Sequence, residues 1–423
     1  MSILLSFLLF VLSSDTAHAI ESNADWERVI SPLLEKNLWE DETAYDSSHY
    51  LMIPLHAAFW MEKDGWMEDF HKHFRRFLRE KEHLPEGLKG RSARLQYLFL
   101  VSRYLVLAQE SAPDDLERFL LSEMRYFWLV EPAWQWGRKP FRKGIRERIA
   151  WKLSTKDVES SYLRAIIDEE LFLIGIAANL QTFLNKKRSN IPFFIKEILG
   201  TAKKIFTDEI FWNDSGGWLL QPGVWTDHPD YAYAGHQFFS DNMSKRPVQG
   251  ISWDSSHSHR LPLILFSLSG SLDCDSEDFQ HYVELTKALA KQFFENVVVP
   301  PDENFKFYRT KNYMDGSNGV YRFSYHPKMK RSGYPACALS GTPLIGWWVF
   351  LFDPRVPELY NNYFYNVQLM YDWLLNSDPY GEESWVFRKH FQEIIPIILK
   401  ISTQMNGIYE RFESKKGVVC LPR

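Results

Sequence analysis

Apolar residues recur at three-and-four spacing along most of this chain. That period predicts helices over 24–38, 48–62, 65–81, 92–110, 114–130, 144–153, 157–186, 192–207, 257–269, 277–296, 341–352, 357–376 and 385–404. Strand patterning is confined to two short stretches, Gly217–Gln221 and Phe305–Tyr308. Most of the predicted helices are joined by brief connections, which favours antiparallel neighbours and a run of helical hairpins. Three connections are long: 131–143, 209–252 and 298–338. They are rich in Trp, Tyr and Gly rather than in the Ser, Lys and Glu of disordered linkers, so they are expected to be ordered around a cavity. No Pro/Ser linker divides the chain and no solenoid period repeats, which predicts one all-α domain with minor β structure.

The N-terminus breaks the helical pattern. Ile3–Leu12 is an apolar run too short to span a bilayer, and Ala17-His-Ala19 follows as a small-x-small cleavage site. Residues 1–19 therefore read as a secretory signal peptide and 20–423 as the exported domain, periplasmic or secreted, with no transmembrane segment after signal removal. Three cysteines, Cys274, Cys337 and Cys420, allow one bridge at most, and their separation excludes a Cys-x-x-Cys metal or redox motif. A net charge of −5 with both signs interspersed leaves no nucleic-acid footprint. Aromatic residues make up 16% of the chain, including sixteen Trp, many beside Gly, Pro, Asp or Asn in the long loops. Flat apolar faces with a polar tip suit sugar rings, although a Trp-rich core would have the same composition.

One motif occurs twice. Tyr45-Asp-Ser-Ser-His-Tyr-Leu-Met-Ile-Pro-Leu-His56 returns as Trp253-Asp-Ser-Ser-His-Ser-His-Arg-Leu-Pro-Leu-Ile264, with six of twelve positions identical and no gap. Asp-Ser-Ser offers side-chain oxygens to the unpaired N–H groups of a first helical turn, and Pro is accommodated early in a helix. The same helix entrance is thus expected twice, each displaying an Asp and a His. The copies lie 208 residues apart. In a ring of six hairpins of roughly 65 residues each, that spacing puts them about three hairpins apart, on one rim and across the centre from each other.

Serial helical hairpins, a signal peptide, long aromatic loops and polar residues at helix entrances together resemble the six-hairpin (α/α) toroid class of carbohydrate-active enzymes. That class includes inverting glycoside hydrolases, unsaturated-uronide hydrolases and several polysaccharide lyases. The resemblance covers most of the mature chain and lies in its organisation, not in a diagnostic signature. It implies an (α/α) toroid and a polysaccharide or oligosaccharide substrate. The Asn-Asn-His run of alginate-lyase-like toroids is absent.

Inverting hydrolysis needs a protonated carboxyl and a carboxylate about 6.5–9.5 Å apart. Asp46, Asp254, Asp315 and Asp227 are the candidates, and Asp46 and Asp254 are equally suited to capping their helices. The second motif copy is the richer one, because His257, His259 and Arg260 follow its Asp where the first copy has only His49. His257 and His259 suit a base and a carboxylate-binding donor, with Arg260 gripping a carboxylate. Elimination from a uronic acid would use Asn312 or Asn318 against the carboxylate, His257 as base and Tyr321 as acid, all near the Gly316/Gly319 turn. Trp134, Trp136, Trp225, Tyr231, Tyr233, Trp253, Tyr313 and His236 complete the expected substrate surface. No metal or other cofactor is called for: the His/Asp spacing is not that of His-Glu-x-x-His, and no Cys joins it. Cys337 is expected to be a buried, inert thiol, and Asp168-Glu-Glu170 either a solvated helix start or the source of a buried acid. The leading expectation is an inverting glycoside hydrolase with paired carboxylates. A uronate lyase is the first alternative and a non-catalytic glycan-binding protein of the cell envelope the second.

Overall fold

A computed structural model describes residues 23–40, 43–136, 140–156, 158–240, 243–324 and 332–416. The expected signal peptide lies outside them. The described chain is mostly helical: α1 (Ser31–Leu34), α2 (Thr43–Trp60), α3 (Asp64–Arg79), α4 (Gly87–Ala108), α5 (Asp114–Leu129), α6 (Gly144–Ser154), α7 (Asp168–Lys186) and α8 (Phe193–Asp208). It continues with α9 (Ser255–Ser258), α10 (Leu261–Gly270), α11 (Glu277–Gln292), α12 (Val356–Ser377), α13 (Lys389–Ser402) and α14 (Met405–Lys416). Two antiparallel ribbons interrupt the helices: β1 (Ile210–Trp212) with β2 (Trp218–Leu220), and β3 (Val298–Val299) with β4 (Arg309–Thr310). The stretch Phe305–Tyr308, expected as a strand, precedes β4 and does not pair.

Two kinds of helix alternate. In α2 and α7 most residues are buried, so both helices are enclosed around most of their circumference. In α3 the buried residues Trp66, Phe70, His73, Phe74 and Phe77 form one stripe, and the other faces are charged. The buried helices pack in series: α2 on α4, α4 on α7, α7 on α10, α10 on the segment Trp347–Leu351, and α13 back on α2. The amphipathic helices cover them, with α3 on α2, α5 on α4 and α7, α8 on α7, α11 on α10, and α12 on α13. Along that series α10 is three steps from α2, as the motif spacing implied.

Several predicted helices differ in detail: 257–269 is split into α9 and α10, 24–38 is a π-turn followed by the short α1, and two more change further. Residues 341–352 form not an α-helix but two 3₁₀ segments, Ala338–Ile345 and Trp347–Leu351. Pro343 removes a backbone donor, and Gly346, at φ 88°, breaks the run. A Cβ at Gly346 would come within 2.7 Å of Ile53 and 2.8 Å of Ile398, so glycine also permits the close approach of α2 and α13. The helix expected over 157–186 begins only at Asp168. Before it, the Ala165 carbonyl accepts from Lys152 at 2.6 Å and the Ile166 N–H donates to Gln221 at 2.7 Å. Those bonds hold the approach to α7 out of the helix, although its apolar spacing suits one.

Candidate functional site

The two motif copies meet at a cavity of about 240 Å³. Tyr45, Asp46 and His49 line it from the first copy, and Ser256, His257, His259 and Arg260 from the second. They do not face each other across open space but touch. Arg260 donates to the Tyr45 hydroxyl at 2.5 Å, its guanidinium lies 3.5 Å from His49 Nε2, and the His49 and His259 ring centroids are 5.3 Å apart. Tyr321 and Arg322 close the polar side. Leu339, Ile345, Leu374, Val386 and Phe391 form the opposite, apolar side.

The second copy forms the expected cap. Asp254 precedes the single turn of α9 and accepts the His257 backbone N–H at 3.1 Å. The same carboxylate accepts from His257 Nδ1 at 2.8 Å, from the Tyr231 hydroxyl at 2.8 Å and from the Ser256 hydroxyl. Burial alone would push this fully buried carboxyl up, but the His257 imidazole and the bonds from His257 and Ser256 hold it well below the usual carboxylate range. Asp254 is therefore ionised and holds a His257 proton on Nδ1, and the His257 side chain, 23% exposed, lines the cavity. Trp253 stacks on the His257 ring at 5.7 Å, and Trp225 stacks on both Trp253 and Tyr231. The Tyr321 hydroxyl stays protonated, because burial and then the Asp254 charge push its pKa far up.

The first copy folds differently. Its helix starts at Thr43, so Asp46 lies inside the first turn instead of capping it, and Pro54 is deep within α2 rather than near its start. The Asp46 carboxylate pairs with Arg388. His49 is buried; burial first, then Arg260 and His257, keep its imidazole neutral. His259 is neutral for similar reasons: burial, then Arg260 and His49.

Several expected site residues lie away from the cavity. Asp315 is turned onto Ser317, and burial raises its pKa. Asn312 is wholly buried and bonds the carbonyls of Gly319 at 2.8 Å and Pro335 at 2.7 Å. Asn318 accepts the Cys337 N–H at 2.8 Å. The Tyr313 hydroxyl donates to the Val320 carbonyl at 3.0 Å. This loop braces the dyad from behind, since Ser255 N–H donates to the Asn312 carbonyl and Met314 N–H to the Trp253 carbonyl. Of the residues expected to act from this loop, only Tyr321 reaches the cavity. Trp225, Tyr231 and Trp253 are buried behind His257 and do not offer sugar-stacking faces. Tyr233 packs on Phe323, His236 contacts the Ser244 carbonyl, and Asp227 accepts the backbone N–H groups of Ser161 and Tyr162. Trp134 and Trp136 are exposed, but neither lines the cavity.

Glu170 is buried between Arg148 at 2.6 Å and Lys152 at 2.8 Å; burial opposes its ionisation, but the two cations hold its pKa down, so it supplies no acid. Asp168 lies 3.5 Å from Arg260. Cys337 is free and buried, and burial raises its thiol pKa. No group of three or more His, Cys, Asp or Glu side chains suited to a metal occurs among the described residues.

Arg322 and the apolar side were not assigned from sequence. Arg322 adjoins Tyr321 and bonds Asp230 at 2.9 Å, so its neighbour was the available signal. The apolar side is assembled from residues scattered between 339 and 391 and has no local signature. Comparison of the chain with protein-family models, curated proteins and solved structures returned no match.

Proposed function

We propose that this protein is an exported carbohydrate-active enzyme that cleaves an acidic glycan by β-elimination at the cavity between the two motif copies. The observation that carries this reading is the Asp254–His257 dyad, whose imidazole lines the same cavity as the protonated Tyr321 hydroxyl. Elimination from a uronate moves one proton from the carbon beside the carboxylate to His257 Nε2. The C–H electron pair becomes the new C=C bond, the C–O bond to the leaving sugar breaks, and Tyr321 returns a proton to the leaving oxygen. Asp254 stabilises the imidazolium, and the cationic side of the cavity, Arg260 and Arg322, offsets the charge that builds on the carboxylate.

The packing series α13–α2–α4–α7–α10–(347–351), with α13 also against Ala338–Ile345, supports an (α/α) toroid. Hydrolysis by paired carboxylates has less support. Asp46 and Asp378 are the carboxylates lining the cavity; Asp46 is paired with Arg388, and Asp378 accepts from Ser384 at 2.7 Å and from the Tyr380 N–H at 2.8 Å. Export is supported by Cys274, which is disulfide-bonded, and by the N-terminal apolar run. Among the described residues no helix is long and apolar enough to cross a membrane.

The test is a panel of uronate-containing polysaccharides. Elimination gives the ultraviolet absorbance of an unsaturated uronate; reducing ends without it would replace this reading with hydrolysis. Ligand that binds and persists unchanged would favour a non-catalytic glycan-binding protein.

A further inference from the structure

Outside the cavity, the loop that follows α5 exposes two indoles. Burial alternates along it: Pro132, Trp134 and Trp136 are exposed, and Ala133 and Gln135 between them are buried. That is the period of an extended strand, whose successive side chains point to opposite faces. Ala133 pairs with Phe141 through N–H···O bonds of 2.9 and 2.7 Å, which puts the exposed Arg142, one residue on, on the same face as the two Trp.

Both rings are open to solvent, each Trp being 41% exposed. Among the described residues Trp134 touches no other ring, neither indole N–H has a hydrogen-bond partner, and Arg142 has no ion pair. Trp136 meets Tyr162, Trp225 and His228 at interplanar angles of 66°, 75° and 63°, so no ring stacks flat on it. The backbone beneath is pinned from inside. Buried Arg91 donates to the Pro132 carbonyl at 2.6 Å and buried Arg148 to the Trp134 carbonyl at 2.7 Å, and both guanidiniums pair with Glu169. A face held in place before its ligand arrives loses little entropy on binding.

The chemistry of that face restricts the ligand. Flat indoles with free N–H groups suit the faces and hydroxyls of sugar rings, and Arg142 suits a carboxylate. Position restricts it further, because ring-to-ring steps of 6.0, 6.1 and 5.7 Å lead from Trp136 through Trp225 and Trp253 to His257. A polysaccharide segment of a few units spans that distance.

We propose that Trp134, Trp136 and Arg142 form an outer glycan-binding strip, which holds one stretch of the acidic polysaccharide while another stretch occupies the cavity. This rests on the carbohydrate reading and extends it, since it makes the substrate a polymer rather than a small saccharide.

The test is affinity electrophoresis through gels containing alginate, polygalacturonate or hyaluronan, with steady-state kinetics on whichever polymer is cleaved. Trp134→Ala should weaken binding roughly twofold to tenfold, the contribution of one aromatic contact, and Trp134→Ala/Trp136→Ala should weaken it further. Contacts made equally in ground and transition states raise KM alone, so kcat should hold in Trp134→Ala. Trp134→Tyr, which keeps a flat ring, should restore binding, and Trp134→Leu should not. Arg142→Gln should lessen the weakening of binding by salt. Wild type that is retarded or active, with binding and KM unchanged in Trp134→Ala and Arg142→Gln, would overturn the strip and leave the cavity reading in place. A fall in kcat at constant KM would reduce the strip to a structural role and overturn it as well. Wild type neither retarded by nor active on any of the three polymers would overturn both. Loss of binding to phosphatidylglycerol vesicles in Trp134→Ala, with glycan binding unchanged, would overturn the strip in favour of a lipid surface.

Discussion

The stretches 45–56 and 253–264 share Asp, Ser, Ser, His, Pro and Leu at the same positions, yet they do different things. Around 254 the chain is extended, so Asp254 sits before the first turn of α9 with a carboxylate free to turn inward onto His257. Around 46 the helix has already begun at Thr43, so Asp46 projects from within the first turn to Arg388 and makes no bond to His49. The cause lies outside the motif. The loop at 312–314 pairs with 253–255 and holds that segment extended, while among the described residues 43–46 carries no such strand-like pairing. A few residues' difference in where a helix starts separates a tuned Asp–His dyad from an ion pair beside a neutral imidazole.

Substitutions at matched positions should expose that asymmetry. The largest contrast is expected between His257→Ala and His49→Ala. Loss of a general base costs on the order of 10²–10⁴-fold in kcat, whereas His49, lacking a carboxylate partner, should cost roughly tenfold or less, through binding. Comparable losses in steady-state kinetics would break the comparison. Next come Asp254→Asn and Asp46→Asn. The first removes the acceptor that sets the His257 tautomer and should cost up to about 10⁴-fold, with KM little changed. The second should cost less than roughly tenfold, since an ion pair with a half-exposed Arg388 contributes little.

A pH effect should be shared by the two copies. Burial keeps His49 and His259 neutral, along with His56, and it pushes His73 down to about 3. Each folded-state pKa lies below its unfolded value of about 6.5. As pH falls below that value the unfolded chain takes up protons that the folded chain refuses, so stability is lost on acidification. The slope approaches about 1.4 kcal/mol per pH unit for each such imidazole. Denaturant titrations from neutral to mildly acid pH should show this slope, and His49→Phe and His259→Phe should each flatten it by a similar amount; a flat profile would contradict the burial of these rings. The smallest effect is expected for Tyr231→Phe, which removes one of several bonds to Asp254. It should lower stability by about 1 kcal/mol and kcat by less than tenfold, against no counterpart in the first copy.

Much of this arrangement is readable from the chain because it rests on local chemistry. Apolar spacing carries the helices, and the identity of the motif copies points to two related helix entrances; their direct contact, with His49 against His259 and Arg260, was not legible, because the spacing placed them across the centre from each other. The unreadable parts depend on partners distant in sequence. Ala338–Leu351 has helical spacing, but the room Gly346 needs is set by Ile53 and Ile398. Asn312, Tyr313 and Asp315 are the residue types a substrate loop would have, and they turn inward because the loop packs beneath α9; at Gly319 a Cβ would overlap the Ala234 carbonyl. The aromatic residues beside Asp254 suit sugar faces equally well by composition. Their stacking on one another and on His257 assigns them to holding the dyad.

In the proposed chemistry the dyad of the second copy, and not a pair of carboxylates, carries the reaction. Its most direct test is ultraviolet absorbance during digestion of uronate-containing polysaccharides by wild type, His257→Ala and Asp46→Asn. An unsaturated product is expected from wild type, with near-complete loss in His257→Ala and retention within roughly tenfold in Asp46→Asn. New reducing ends without that absorbance, abolished by Asp46→Asn and untouched by His257→Ala, would contradict it.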